Sequence, residues 1–136
     1  MLEKEIHDLY APLIVRHSRD PFGRNPEFVA THRATALNPL CGDEVTLSLL
    51  VQKKVIIEAG FTARGCVLTT ASASILCEQV VGASLSDLDA DDLWARLNDT
   101  EELAILTKAM AAHPPRKTCL TLAWNGLREA ISTPIL

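Results

Sequence analysis

Apolar and polar residues alternate on both sides of a short polar break: Val45, Leu47, Leu49 and Val51 precede Gln52-Lys53-Lys54, and Val55, Ile57, Ala59, Phe61 and Ala63 follow it. A period of two is the signature of a strand with one buried face, and two such runs joined by a brief turn form an antiparallel hairpin. A hairpin returns the chain to its starting edge. Whatever stands before Val45 must therefore finish beside whatever follows Ala63. Those flanks are Cys41-Gly42-Asp43 and Arg64-Gly65-Cys66. A further extended piece near Thr31 to Ala36 supplies an edge strand for the same sheet.

Elsewhere the apolar spacing becomes helical. Ile6, Leu9, Leu13 and Ile14 place a helix from Glu3 to about Ser18, ending before Asp20-Pro21-Phe22-Gly23 because Pro21 disfavours helical geometry at Asp20. Gly23 to Pro26 reads as a turn-rich linker. From Cys66 to Val81, Leu68, Ala71, Ile75, Leu76 and Val80 form a broad apolar stripe that Gly82 terminates, the pattern of a central helix. Ser86 is a candidate N-cap for the acidic stretch Asp87 to Leu97, and Thr100 starts another helix running to about Ala112. After Pro114-Pro115-Arg116-Lys117, a last helix runs from Cys119 to Ile131 with Leu120, Leu122, Ala123, Leu127 and Ile131 at its apolar spacing. The expected fold is α+β: a small antiparallel three-stranded sheet packed by helices, in a single domain over residues 1–136.

Composition narrows the class. In 136 residues, 48% are hydrophobic, enough for one core without disulfide staples. Four widely spaced cysteines and no secretory leader point to reduced thiols and a cytoplasmic location. No apolar run approaches the roughly 20 residues of a membrane span, because Thr69, Ser72, Glu78 and Gln79 interrupt the longest candidate. A net charge of −4 and 4% aromatic residues oppose a nucleic-acid partner, which needs a basic footprint or stacking surfaces.

Cys41, Asp43, Cys66 and Cys119 each stand where the chain turns beside a glycine or follows a proline pair into a helix, and three thiolates with one carboxylate fill a tetrahedral shell. Helix starts at Cys66 and Cys119 supply positive dipole ends that favour thiolates. Spacing alone leaves two readings open for Cys41, Cys66 and Cys119, metal ligand or small buried hydrophobe. Asp43 alone could cap a turn. Cys77 is expected to be structural, since it follows Cys66 by about 16 Å along a helix rising ~1.5 Å per residue. His7, His17, His32 and His113 read as surface or outer-sphere histidines, with His113 the first substitute should Asp43 not bind. Arg64, Arg116 and Lys117 flank the candidate ligands and would stabilise thiolates and an anionic sulfur species, because three thiolates and a carboxylate outweigh one dication.

At these residues the chain resembles the U-type iron–sulfur assembly family, the IscU, SufU and NifU N-terminal group, and within it the SufU branch. The resemblance runs through Leu9-Tyr10, His17 to Pro21, Asn38-Pro39-Leu40-Cys41-Gly42-Asp43, Gly65-Cys66 with Ala71-Ser72-Ala73-Ser74, and Pro114 with Arg116 and Cys119-Leu120-Thr121-Leu122-Ala123-Trp124. It implies a SufE/IscU-like α+β domain with zinc held by Cys41, Asp43, Cys66 and Cys119. It also implies a SufS-type cysteine desulfurase as partner, alongside downstream iron–sulfur assembly proteins. The leading expectation is a sulfurtransferase-type acceptor in which Cys41 takes persulfide sulfur. The alternatives are a scaffold carrying a transient iron–sulfur cluster and a structural zinc interaction domain. Thr118 departs from the pattern, since scaffolds of the family carry histidine and SufU-like members commonly lysine there. His113-Pro114-Pro115-Arg116-Lys117 departs from the family's Leu-Pro-Pro-Val-Lys, so chaperone recognition does not carry over.

Overall fold

A computed structural model describes residues 12–39, 42–86, 88 and 117–135, with backbone alone for 117–120. Helix α1 covers residues 12–19; strands β1 (His32–Leu37), β2 (Glu44–Gln52) and β3 (Val55–Arg64) follow; helices α2 (Val67–Val80) and α3 (Lys117–Ile131) complete the described elements. The expected start of α1, the helices at Asp87 to Leu97 and Thr100 to Ala112, and His7 and His113 lie outside the described residues.

The three strands form one antiparallel sheet in the order β1-β2-β3. Lys53 and Lys54 close the hairpin with φ of +52° and +64°, the left-handed pair that matches strand twist in a two-residue turn and usually falls to asparagine or glycine. The buried face differs from the simple alternation in one place. Leu50 pairs with Glu58 and Val51 with Ile56, so Ile57 is an extra residue and the register shifts there. The bulge reverses the facing of the β3 residues between it and the turn, so Ile56 is buried and Ile57 is exposed, where alternation alone put Val55 and Ile57 inside. Beyond the bulge the pattern holds: Val45, Leu47, Leu49 and Phe61 are fully buried, each contributing about 1.5–3 kcal/mol through area removed from water.

Helix α2 is central in a stronger sense than a stripe implies. Every residue from Leu68 to Cys77 is buried, including Thr69, Thr70, Ser72 and Ser74. Small side chains at Ala71, Ser72, Ala73 and Ser74 permit packing on several sides at once. On one side α1 docks through His17, whose Nδ1 lies 2.7 Å from Ser74 Oγ; that oxygen also accepts the Phe22 N–H at 2.8 Å. His17 is 2% exposed, so it is a buried docking residue and not a surface histidine. Another side of α2 meets α3, which buries Leu122, Ala123, Trp124, Leu127 and Ala130 and exposes Asn125, Arg128 and Glu129. Gly126 lets α3 come close to the sheet, since a Cβ there would stand 3.0 Å from Leu47 Cδ2.

The segment expected as a linker at Gly23 to Pro26 is instead tied to β3. Phe61 N–H donates to Gly23 O and Asn25 N–H donates to Phe61 O, at 2.9 and 2.8 Å. Gly23, at φ +78°, is required by this approach because a Cβ would lie 2.7 Å from Ala59 O. Gly82 ends α2 as expected, at φ +91°. Among the described residues no helix is long and apolar enough to cross a membrane.

Candidate metal and sulfur site

The β1–β2 connection is drawn closed by two backbone bonds, Gly42 N–H to Asn38 O and Asn38 N–H to Asp43 O, each 2.8 Å. Gly42 takes φ +77° inside it, a conformation that suits glycine. Cys41 belongs to this connection and lies outside the described residues. At its end Asp43 precedes Glu44, the first residue of β2, and Glu44 pairs with Arg64, the last of β3. That register sets Asp43 beside Gly65, the juxtaposition expected of a hairpin returning to its starting edge.

The contact is close. A Cβ on Gly65 would stand 2.8 Å from both Cγ and Oδ2 of Asp43, so glycine is the residue that leaves room for the carboxylate. Cys66 follows as the N-cap of α2, with extended dihedrals and no side-chain capping bond. Its thiol is exposed and free of any disulfide. One turn along α2, the buried Thr69 joins the two candidates: its hydroxyl donates to Asp43 Oδ2 at 2.9 Å, and its Oγ1 lies 3.6 Å from Cys66 Sγ.

Helix α3 begins at Lys117 rather than at Cys119. Cys119 is therefore in the first turn and not at the cap, because Lys117 and Thr118 present no obstacle to helical dihedrals once the prolines are passed. Its backbone is placed, and its side chain lies outside the described residues. Only Asp43 and Cys66 of the four candidates thus have described side chains, and the structure brings those two together. Among the described residues no group of three or more His, Cys, Asp or Glu side chains converges. Cys77 is fully buried within the core, and burial pushes its thiol far above its ordinary value, as expected of a structural cysteine. His32 lies in β1 with Nδ1 2.9 Å from Thr31 Oγ1. Thr69 was not singled out from the sequence. The available signal was a hydroxyl three residues after Cys66, one helical turn inward from an exposed thiol.

What the arrangement can do follows from its donors. An exposed thiol at a helix N-terminus and a carboxylate fixed beside it offer one soft and one hard ligand at an open edge of the molecule, suited to a thiophilic cation that must also leave. Asp43 and Cys66 therefore fit, by their donor chemistry, as two ligands of a zinc ion or a nascent cluster.

The fold is that of a small α+β domain built on a three-stranded antiparallel sheet, and comparison with known proteins makes the class specific. The family model of the NifU-like N-terminal domain matches residues 9–133. The chain belongs to this family, the IscU, SufU and NifU N-terminal group of iron–sulfur cluster assembly proteins, and its role at that level is in iron–sulfur cluster biogenesis. It is 31% identical to the iron–sulfur cluster assembly scaffold protein IscU of Streptococcus pyogenes serotype M1, over 96% of this chain and 87% of that protein. It is 27% identical to the zinc-dependent sulfurtransferase SufU of Bacillus subtilis, over 91% of this chain and 90% of that protein. A crystal structure described as a putative iron–sulfur cluster assembly scaffold protein for the SUF system, from Fervidobacterium islandicum AW-1, superposes with a TM-score of 0.68 at 25% identity. It covers 92% of this chain and 98% of that one.

Proposed function

We propose that the protein is a scaffold on which a nascent iron–sulfur cluster is built and then passed on, with Cys41, Asp43, Cys66 and Cys119 as its ligands and a SufS-type cysteine desulfurase as its sulfur source. The observation that carries this reading is the Asp43–Thr69–Cys66 arrangement: an exposed thiol beside a positioned carboxylate. Thiolates hold cluster iron firmly, whereas a carboxylate is a harder and more exchangeable ligand, so a mixed shell suits cargo that must be released. The scaffold relatives support it, and they reverse the order in which the sequence ranked scaffold and sulfur transfer.

Sulfur enters as a persulfide. A thiolate of the scaffold attacks the outer sulfur of the desulfurase persulfide, the new S–S bond forms as the old one breaks, and the desulfurase thiolate departs; no external oxidant or reductant is needed. Cys41 is the proposed acceptor because it occupies the loop between β1 and β2, whereas Cys66 and Cys119 are built into helices with buried faces. Reduction of that sulfur to sulfide for cluster formation requires electrons from a separate donor.

A second reading, zinc-dependent sulfur transfer, is favoured by the similarity to the Bacillus subtilis sulfurtransferase across nearly the whole of both chains. The same four residues would hold the zinc. Bound there, zinc would keep the thiolates deprotonated and release one on demand. The deciding experiment is anaerobic purification with elemental analysis and a visible spectrum. Labile iron and sulfide with charge-transfer absorption support the scaffold. Stoichiometric zinc, no such absorption after reconstitution with iron and sulfide, and stimulation of the desulfurase would replace it with the transfer reading.

A further inference from the structure

The Asp43 carboxylate is held asymmetrically. Oδ2 accepts the Thr69 hydroxyl at 2.9 Å, and the same oxygen faces the empty side of Gly65, where a Cβ would come within 2.8 Å. Thr69 is fully buried, as are its helix neighbours Leu68 and Thr70, so its hydroxyl has a fixed position. A hydroxyl has one proton. Here that proton goes to Asp43, and the oxygen's lone pairs are what remain for Cys66 Sγ, 3.6 Å away.

We propose that Thr69 is a positioning residue for the metal-loaded site: by occupying Oδ2 it leaves Oδ1 as the ligating oxygen, making Asp43 a one-oxygen ligand held in register with Cys66. Deepening the ligand assignment given above, the proposal rests on Asp43 being a ligand. Its physical basis is general. A ligating carboxylate with two free oxygens can chelate through both or swing between them, and a hydrogen bond to one of them fixes orientation and denticity. Gly65 has the complementary part, supplying space for the oxygen that Thr69 holds. Neither residue touches the metal.

The test uses the full-length reduced apoprotein and two metals alone. Zinc affinity is measured by competition with a chromophoric chelator, and Co(II) spectra report coordination number, since four-coordinate cobalt absorbs much more strongly in the visible than five-coordinate cobalt. Thr69→Val preserves shape and removes the hydroxyl, and it should weaken zinc about 10-fold while lowering the cobalt intensity as the freed carboxylate chelates. Thr69→Ser should restore both. In an Asp43→Ala background, Thr69→Val should cost nothing further. If Asp43→Ala weakens zinc but Thr69→Val leaves affinity and spectrum unchanged, the positioning role is wrong and the ligand assignment stands. Serine binding as weakly as valine also overturns the role. Should Asp43→Ala bind zinc like the wild type, the ligand assignment itself fails, and the proposal with it. Thr69→Ala replaces Thr69→Val if the latter does not fold.

Discussion

Gly65 and Asp43 are matched as space and side chain: the carboxylate fills the volume that any Cβ at position 65 would need, at 2.8 Å from Oδ2. The match is produced by the β2–β3 register, which pairs Glu44 with Arg64 and sets their outer neighbours side by side. Gly65→Ala should therefore displace Asp43 while sparing the core, because the clash lies at a strand end and is relieved by moving one half-exposed side chain. The expected outcome is a folded protein with zinc affinity reduced by about 10-fold or more, read by chelator competition and circular dichroism. Unchanged affinity would show that Asp43 is not needed where it stands.

Asp43→Ala should leave a folded, metal-competent protein, since three thiolates with water in the fourth position still hold zinc. Its altered property should be the exchange of bound metal or cluster, measured as transfer to an apo acceptor or a chelator. Transfer at the wild-type rate would reduce Asp43 to a turn residue.

Incubation with a cysteine desulfurase, pyridoxal phosphate and cysteine should place the first persulfide on Cys41. Mass spectrometry of the peptide carrying Pro39 to Glu44 should show an adduct of about 32 Da, one sulfur atom. Sulfur arriving first on Cys119, with Cys41→Ser accepting it at full rate, would reverse the assignment of the acceptor.

Cys77 should be silent in metal chemistry and visible in alkali. Its folded value is raised by burial above an ordinary 9.0, so below pH 9 folded and unfolded chains both keep the proton and no dependence arises. Above it the unfolded thiol ionises while the folded one does not, and stability falls with rising pH by up to about 1.4 kcal/mol per unit. Denaturant melts from pH 8 to 10.5 should show this decline, and Cys77→Ala should flatten that part of it while leaving zinc content unchanged. An identical alkaline slope in the variant would assign the loss to other groups.

His17→Ala removes the side chain that fastens α1 to Ser74 and should cost about 2 kcal/mol in urea unfolding. Metal affinity should change little, because His17 is a docking residue. A loss of metal binding larger than the loss of stability explains would instead connect α1 to the site.

The hairpin was legible in the sequence because strand alternation is local and its consequence is topological: once Val45 to Ala63 folds back on itself, Asp43 and Cys66 must meet, whatever the rest of the chain does. The helix after Cys66, its end at Gly82 and the inert Cys77 followed from spacing for similar reasons. What the sequence could not supply was decided by packing. The bulge that turns Ile56 inward and Ile57 outward depends on how the hairpin closes through two left-handed lysines, which carry no sequence signal of that conformation. Burial on several sides made α2 central with threonines and serines inside it, so a hydroxyl at Thr69 could reach both Asp43 and Cys66. His17 became a core residue because α1 lies against Ser74, a contact 57 positions away in sequence. Local pattern thus determined which residues could meet at the edge, and tertiary packing decided that Oδ2 is the oxygen of Asp43 that Thr69 ties.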